Sequence, residues 1–289
     1  DATLFRVASD GTFSQKTLKT HTAANAWAVS PGGKWAIAWT DASALSSADP
    51  TEGFQDVTVI DLSPGKESSK ILSVGYRPAR LGFAKDETRA FAVTEPGISV
   101  ITLDGAGPTV SALVKVTDDP LETPASRDVT LTPDGAWALV RRDGSASVSF
   151  VSLASGARTD LPLSGNVTDL DLSEDGLRAV AVVRDTSEVF VLPVPGAASD
   201  PTSIEKKTVS GEFFGSVALS TDASVALLYT NALANDHLTI LNLLAGPEFL
   251  THRTVALKAP VSAVFPAPDA KHAIVLQKTL AGSSKAGAF

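Results

Sequence analysis

The chain has 289 residues, 44% of them hydrophobic and 19% charged, which is enough to bury a large core without disulfide or metal staples. With 24 basic against 32 acidic residues the net charge is −8, and this argues against a nucleic-acid partner because phosphate backbones reward clustered Lys and Arg. Cysteine is absent, which excludes disulfides, thiolate metal sites and cysteine nucleophiles, and no apolar run reaches the ~18 residues of a membrane-spanning helix.

The first twenty residues read as two strands, Thr3 to Ala8 and Thr12 to Leu18, around the turn Ser9-Asp10-Gly11. The chain begins at Asp1 with neither an initiator Met nor a charged apolar leader. The expectation is a removed signal segment or a fragment, and the first suits an exported protein. From there onward one pattern repeats six times: a short alternating strand, a polar turn, then further alternating strands ending near Gly. The turns are Ser30 to Gly33, Ala84 to Glu87, Thr132 to Gly135, Ser173 to Gly176, Ser220 to Ala223 and Ala267 to Ala270. Their third residues, Gly32, Asp86, Asp134, Asp175, Asp222 and Asp269, recur every 41 to 54 residues, the length of a four-stranded propeller blade.

The register holds on both sides of the anchors. Four positions after them stand Ala36, Ala90, Ala138, Ala179, Ala226 and Ala273; five before stand Trp27, Leu81, Val129, Leu170, Val217 and Val264. An invariant small residue at one strand position fits crowded packing where blades converge. A third alternating strand follows, as in Val57, Val59 and Leu62 before Gly65, or Ile98, Val100 and Leu103 before Gly105. The predicted fold is therefore all-β, a propeller of four-stranded blades with strands a to d from the centre outward. The last repeat supplies strand a (Val261 to Phe265) and strand b (Lys271 to Leu280), and residues 1–20 supply strands c and d of the same closing blade. Residues 1–289 then form a single domain of six blades, with seven or more in a longer parent chain as the alternative.

The turn and strand motifs, Thr132-Pro-Asp-Gly-Ala-Trp-Ala-Leu-Val140 and Asp56-Val-Thr-Val-Ile-Asp-Leu62 above all, resemble YVTN-type and WD40-like β-propeller repeats. The resemblance covers almost the whole chain, although the literal Tyr-Val-Thr-Asn string is absent. It implies the propeller fold and relatives that include surface-layer and exported proteins, lactonase-like enzymes and amine-dehydrogenase-like subunits. Fold likeness does not choose among them.

Function is expected where loops vary. The a–b turns are short hairpins, whereas the b–c and d–a connections differ in length, Thr40 to Asp56 and Thr117 to Asp128 being the longest. Acids outnumber bases there, with Asp41, Asp49, Glu52 and Glu95 among them, and Asp118, Asp119 and Glu122 form a candidate acidic rim. Lys285 counts among the bases. Six positions before the anchors, Arg80, Asp128 and Asp169 occupy equivalent inner-strand positions on three successive blades, with Arg127 beside Asp128. These four are the candidate ligand-binding residues, and an Arg–Asp lock between blades is the structural alternative.

Catalytic signals are weak. His21, His237, His252 and His272 lack metal-ligand spacing, Asp236-His237 reads as turn chemistry, and neither a nucleophile elbow nor a phosphate-binding Gly loop occurs. No catalytic residue, metal site or cofactor is assigned. The expected function is a non-catalytic exported or cell-surface scaffold that binds a protein or small ligand through its acidic loop face. The alternative is a lactonase-like or amine-dehydrogenase-like enzyme or subunit, which would show converging titratable groups with shifted pKa values.

Overall fold

A computed structural model describes residues 1–45, 53–119 and 121–278. The described chain separates into two compact units, the first Asp1–Ala125 with Asp134–Ala136 and Leu153–Gly156, the second holding the remainder. Every sheet is antiparallel and assembles strands in chain order.

Unit 1 opens with β1 (Ala2–Val7) and β2 (Phe13–Leu18), paired as a two-stranded sheet. Two four-stranded blades follow: β3 (Ala26–Val29), β4 (Trp35–Trp39), β5 (Asp56–Asp61) and β6 (Ser68–Ser73), then β7 (Arg80–Phe83), β8 (Arg89–Thr94), β9 (Gly97–Thr102) and β10 (Thr109–Val114). Their faces meet in one core that joins Trp35, Ile37, Val57 and Val59 of the first blade to Ala90, Ala92, Ile101 and Leu103 of the second. The β1–β2 pair packs on the first blade through Leu18, Ala36 and Ile60, and Glu67 receives Arg6 at 2.9 Å and Lys16 at 3.7 Å.

Unit 2 holds the strands of β11 (Arg127–Leu131), β12 (Trp137–Arg142), β13 (Ser147–Ser152) and β14 (Arg158–Pro162). It continues with β15 (Val167–Leu172), β16 (Arg178–Val183), β17 (Glu188–Pro193) and β18 (Glu205–Thr208), and with β19 (Ser216–Leu219), β20 (Val225–Tyr229), β21 (His237–Asn242) and β22 (His252–Ala256). Last come β23 (Val261–Pro266) and β24 (Ala273–Gln277), a two-stranded sheet. Successive sheets again bury shared apolar faces, for example Val180, Val182 and Val189 against Val217, Leu228 and Leu241.

The repeat is a repeated hydrogen-bond pattern. At each Asp anchor the carboxylate accepts the backbone N–H two residues on: Thr88, Ala136, Leu177, Ser224 and Lys271, at 2.9–3.0 Å. Two residues before the anchor, the hydroxyls of Ser30, Thr132, Ser173 and Ser220 accept the N–H that opens the next strand, each at 3.0 Å. One residue after it the chain turns left-handed in all six repeats, with φ between 55° and 75° at Gly33, Glu87, Gly135, Gly176, Ala223 and Ala270. Glycine takes that conformation freely, whereas Glu87, Ala223 and Ala270 hold it at a steric cost. At Gly135 a side chain would also strike the Phe91 ring.

The alanine column lies on the second strand of each sheet. Ala36, Ala90, Ala138, Ala179 and Ala226 are buried, while Ala273 on β24 is half-buried. Of the apolar residues in the first two strands only Leu18 is buried; Phe5, Val7 and Phe13 are exposed, because their face of the β1–β2 pair points away from the first blade. Strand b of the last repeat extends only to Gln277 in the described chain, and its predicted end at Leu280 lies outside the described residues.

Candidate functional site

In unit 1 the b–c and d–a connections gather at one end of the sheets and enclose a cleft of about 700 Å³. Each connection contributes a distinct piece. Asp41 and Ser43 come from the β4–β5 connection, Arg77 to Ala79 from β6–β7, Glu95 from the β8–β9 hairpin, and Leu121 to Ala125 from β10–β11. A neighbouring cleft of about 460 Å³ is lined by Tyr76, Lys115, Asp118 and Asp119, and shares Glu95 and Glu122 with the first.

Local chemistry shapes both. Asp41 caps a single 3-10 turn, its carboxylate accepting the Ser43 N–H at 2.9 Å and hydroxyl at 2.7 Å. In the β10–β11 connection Asp119 accepts the Leu121 N–H at 2.8 Å. Arg77 sits in the left-handed region at φ 50°, its N–H donating to the Phe54 carbonyl at 2.7 Å. That strained turn brings its guanidinium over two rings, 5.6 Å from the Phe54 centroid and 5.1 Å from that of Tyr76. Phe54 and Tyr76 pack edge to face at 6.1 Å, and Arg77 pairs with Glu95 at 3.4 Å. The braced arginine holds Glu95 where the two clefts meet. Pro78, Ala79, Leu121, Pro124 and Ala125 make the rest of the larger wall apolar.

The predicted rim is thus brought together in part. Asp118 and Asp119 are exposed, Glu122 is half-buried, and all three line the smaller cleft. Asp49, Glu52 and Lys285 lie outside the described residues. Arg77, Tyr76 and Phe54 carry no repeat signal, so sequence reasoning passed over them as site residues; the Tyr-Arg-Pro run after a strand was the available hint.

The inner-strand column meets different surroundings. Arg80 is exposed at the start of β7 in unit 1. In unit 2, Arg127 is buried and Asp128 exposed on β11, the latter 3.5 Å from Arg141, which also holds Asp143 at 2.7 Å. Asp169 is three-way engaged: one oxygen accepts the Leu170 N–H at 2.9 Å, the other the Val217 N–H at 2.9 Å, and it feels Arg141 nearby. Two residues on, Asp171 repeats the arrangement with Leu172 at 2.9 Å and Leu219 at 2.7 Å. Both aspartates stand on β15 and reach backbone N–H groups on the open edge of β19, so one sheet is stitched to the next. Burial pushes both carboxyls above the ordinary aspartate value, and it also raises the Tyr229 hydroxyl, with the two aspartates adding to the rise. His21 is buried between the Thr58 and Thr40 hydroxyls, and burial lowers its pKa, so it serves packing as a neutral ring. Among the described residues no group of three or more His, Asp and Glu is placed to hold a metal ion.

Four-stranded antiparallel blades built on one turn motif define the fold class, a β-propeller. Solved structures similar to this chain include Kuenenia stuttgartiensis hydrazine synthase, at 16% identity and a TM-score of 0.53, over 99% of this chain and 89% of that one. They also include a candidate 6-phosphogluconolactonase of Bacteroides fragilis (13%, TM-score 0.51, 98% and 88%) and the Cps50 (Swd1) β-propeller domain of Myceliophteria thermophila (15%, TM-score 0.50, 88% and 79%). No protein-family model and no curated protein matches the chain. At these identities the likeness carries the fold and no chemistry.

Proposed function

We propose that this propeller is a non-catalytic binding scaffold, exported or displayed at the cell surface, whose acidic loop cleft receives a basic partner. The observation that carries the reading is the composition of the 700 Å³ cleft: Asp41, Glu95 and Glu122 against one cation, Arg77, at an otherwise largely apolar wall, continued by Asp118 and Asp119 beside Lys115 in the adjoining one. A lysine- or arginine-bearing segment with apolar neighbours complements both features, and the protein's net charge of −8 favours its approach. The YVTN-type resemblance of the repeat supports display outside the cell, where such blades occur. The test is fluorescence anisotropy with a labelled Lys/Leu peptide. The combined variant Asp41→Asn, Glu95→Gln, Glu122→Gln is expected to bind about tenfold or more weakly, with unchanged melting temperature. Equal binding by parent and variant would move the site elsewhere.

A second reading, an enzyme of lactonase-like or dehydrogenase-like type, draws on the raised carboxyls of Asp169 and Asp171 beside Tyr229. Against it, each aspartate already spends both oxygens on backbone N–H groups. Turnover of a lactone or amine, abolished by Asp169→Asn or Asp171→Asn in a protein that still folds, would establish the enzyme.

A further inference from the structure

At the other end of the unit 1 sheets, the a–b and c–d turns enclose a separate cleft of about 330 Å³, and its charge is reversed. Lys34 reaches it from the β3–β4 turn, and Lys66 and Lys70 from the β5–β6 hairpin. No carboxylate lies within ion-pair distance of any of these three ammonium groups among the described residues. The contrast with their neighbours is sharp, since Glu67 in the same hairpin takes both Arg6 and Lys16. Two aspartates share the cleft, each using one oxygen on its own turn, where Asp61 accepts the Ser63 N–H at 2.8 Å and Asp104 the Ala106 N–H at 2.9 Å, so the three lysines outnumber the carboxylates by one.

A second observation is independent of charge. Trp35, 3% exposed, also lines this cleft, with Lys34 lying 5.5 Å from its ring centroid. Its indole N–H is buried and has no acceptor among the described residues. A buried donor left without a partner costs free energy, and in native proteins it is usually satisfied by water or a ligand. Three lysines with no carboxylate in ion-pair distance, set against two aspartates in the lining, favour an acceptor-rich anion in this cleft. At this volume the fit is to a compact group rather than a polymer.

We propose that the turn-end cleft of unit 1 binds a compact phosphate-class anion, a soluble phosphomonoester, on Lys34, Lys66 and Lys70 with Trp35 beside it. Ammonium-to-phosphate hydrogen bonds are charge-assisted and are stronger than neutral ones. The site lies away from the acidic cleft and stands or falls separately from it.

The test is an NMR titration of the Trp35 indole resonance, assigned by its loss in Trp35→Phe, with sodium phosphate and with sodium chloride at matched ionic strength. The proposal expects a saturable shift with phosphate only. The triple variant Lys34→Gln, Lys66→Gln, Lys70→Gln, altered only at exposed side chains, should bind about tenfold or more weakly. Lys16→Gln, which removes a lysine already paired with Glu67, should bind as the parent does. Glycerol phosphate should compete with phosphate. Identical shifts with both salts, or a triple variant that binds phosphate as the parent does, would overturn the site. Co-sedimentation with phosphatidic acid vesicles, lost in the triple variant, would assign the anion to a lipid headgroup and overturn the soluble source.

Discussion

Asp128 and Asp169 occupy the same place in the repeat and do different work. Asp128 points outward and meets Arg141 at the surface, where an exposed pair stabilises by at most about 1 kcal/mol. Asp169 holds the Val217 N–H on the neighbouring sheet, and its loss leaves a backbone donor unmatched. Asp169→Ala is therefore expected to destabilise unit 2 by about 1–3 kcal/mol, and Asp128→Ala by less than about 1, in urea denaturation. A pH series sharpens the distinction. The folded pKa of Asp169 lies above the ordinary 3.8, so the folded protein holds this proton more tightly than the unfolded chain does. Its contribution to stability rises as pH falls through the folded pKa and is complete below the ordinary value. The deficit of Asp169→Ala relative to the parent should accordingly grow between about pH 7 and pH 4. A deficit that shrinks on acidification would mean that the carboxylate is stabilised as an anion. Nothing local in the sequence distinguishes these two aspartates, since the difference is what lies opposite them across the gap between sheets.

At the scale of strands and turns, the sequence carried most of the architecture. Asp anchors, hydroxyl residues and left-handed positions are contacts within a few residues, so they leave a direct imprint on the repeat. The alanine column is legible for a different reason: Ala138 is fully buried on the second strand of its sheet, where close packing disfavours a larger side chain. Ala138→Leu should cost about 1–3 kcal/mol through overpacking, whereas Ala157→Leu at an exposed position should change little. The reverse ranking in equilibrium denaturation would shift the strand register by an odd number of residues. The loops were less legible. The acidic character of Asp118, Asp119 and Glu122 could be seen, but the pocket they line depends on the left-handed turn at Arg77 and the Phe54–Tyr76 pair beneath it. Those are contacts between residues far apart in the chain, and no periodicity encodes them.

Across the whole chain, the first two strands contribute less burial than their composition suggests. Phe5, Val7 and Phe13 face outward, so the anchor is Leu18 against Ala36 and Ile60, with Arg6 and Lys16 tied to Glu67. Burial of Leu18 alone stabilises by roughly 1.5–3 kcal/mol, a sizeable share of the roughly 5–15 kcal/mol that holds a typical domain folded. Deletion of residues 1–20 should lower the melting temperature and promote aggregation, because it also bares the apolar face beneath. A monomeric deletion protein with unchanged melting temperature would contradict this.

The central claim is that the acidic loop cleft of unit 1 is the binding surface. Hydrogen exchange on the complex with the Lys/Leu peptide tests it most directly, since it reads the site without presupposing which residues matter. The account predicts slowed exchange at residues 41–43, 76–79, 95–96, 115, 117–119 and 121–125, which line the two clefts, and no change along β15 or β19. Protection concentrated on β15 and β19, around Asp169 and Asp171, with these loops unprotected, would contradict it.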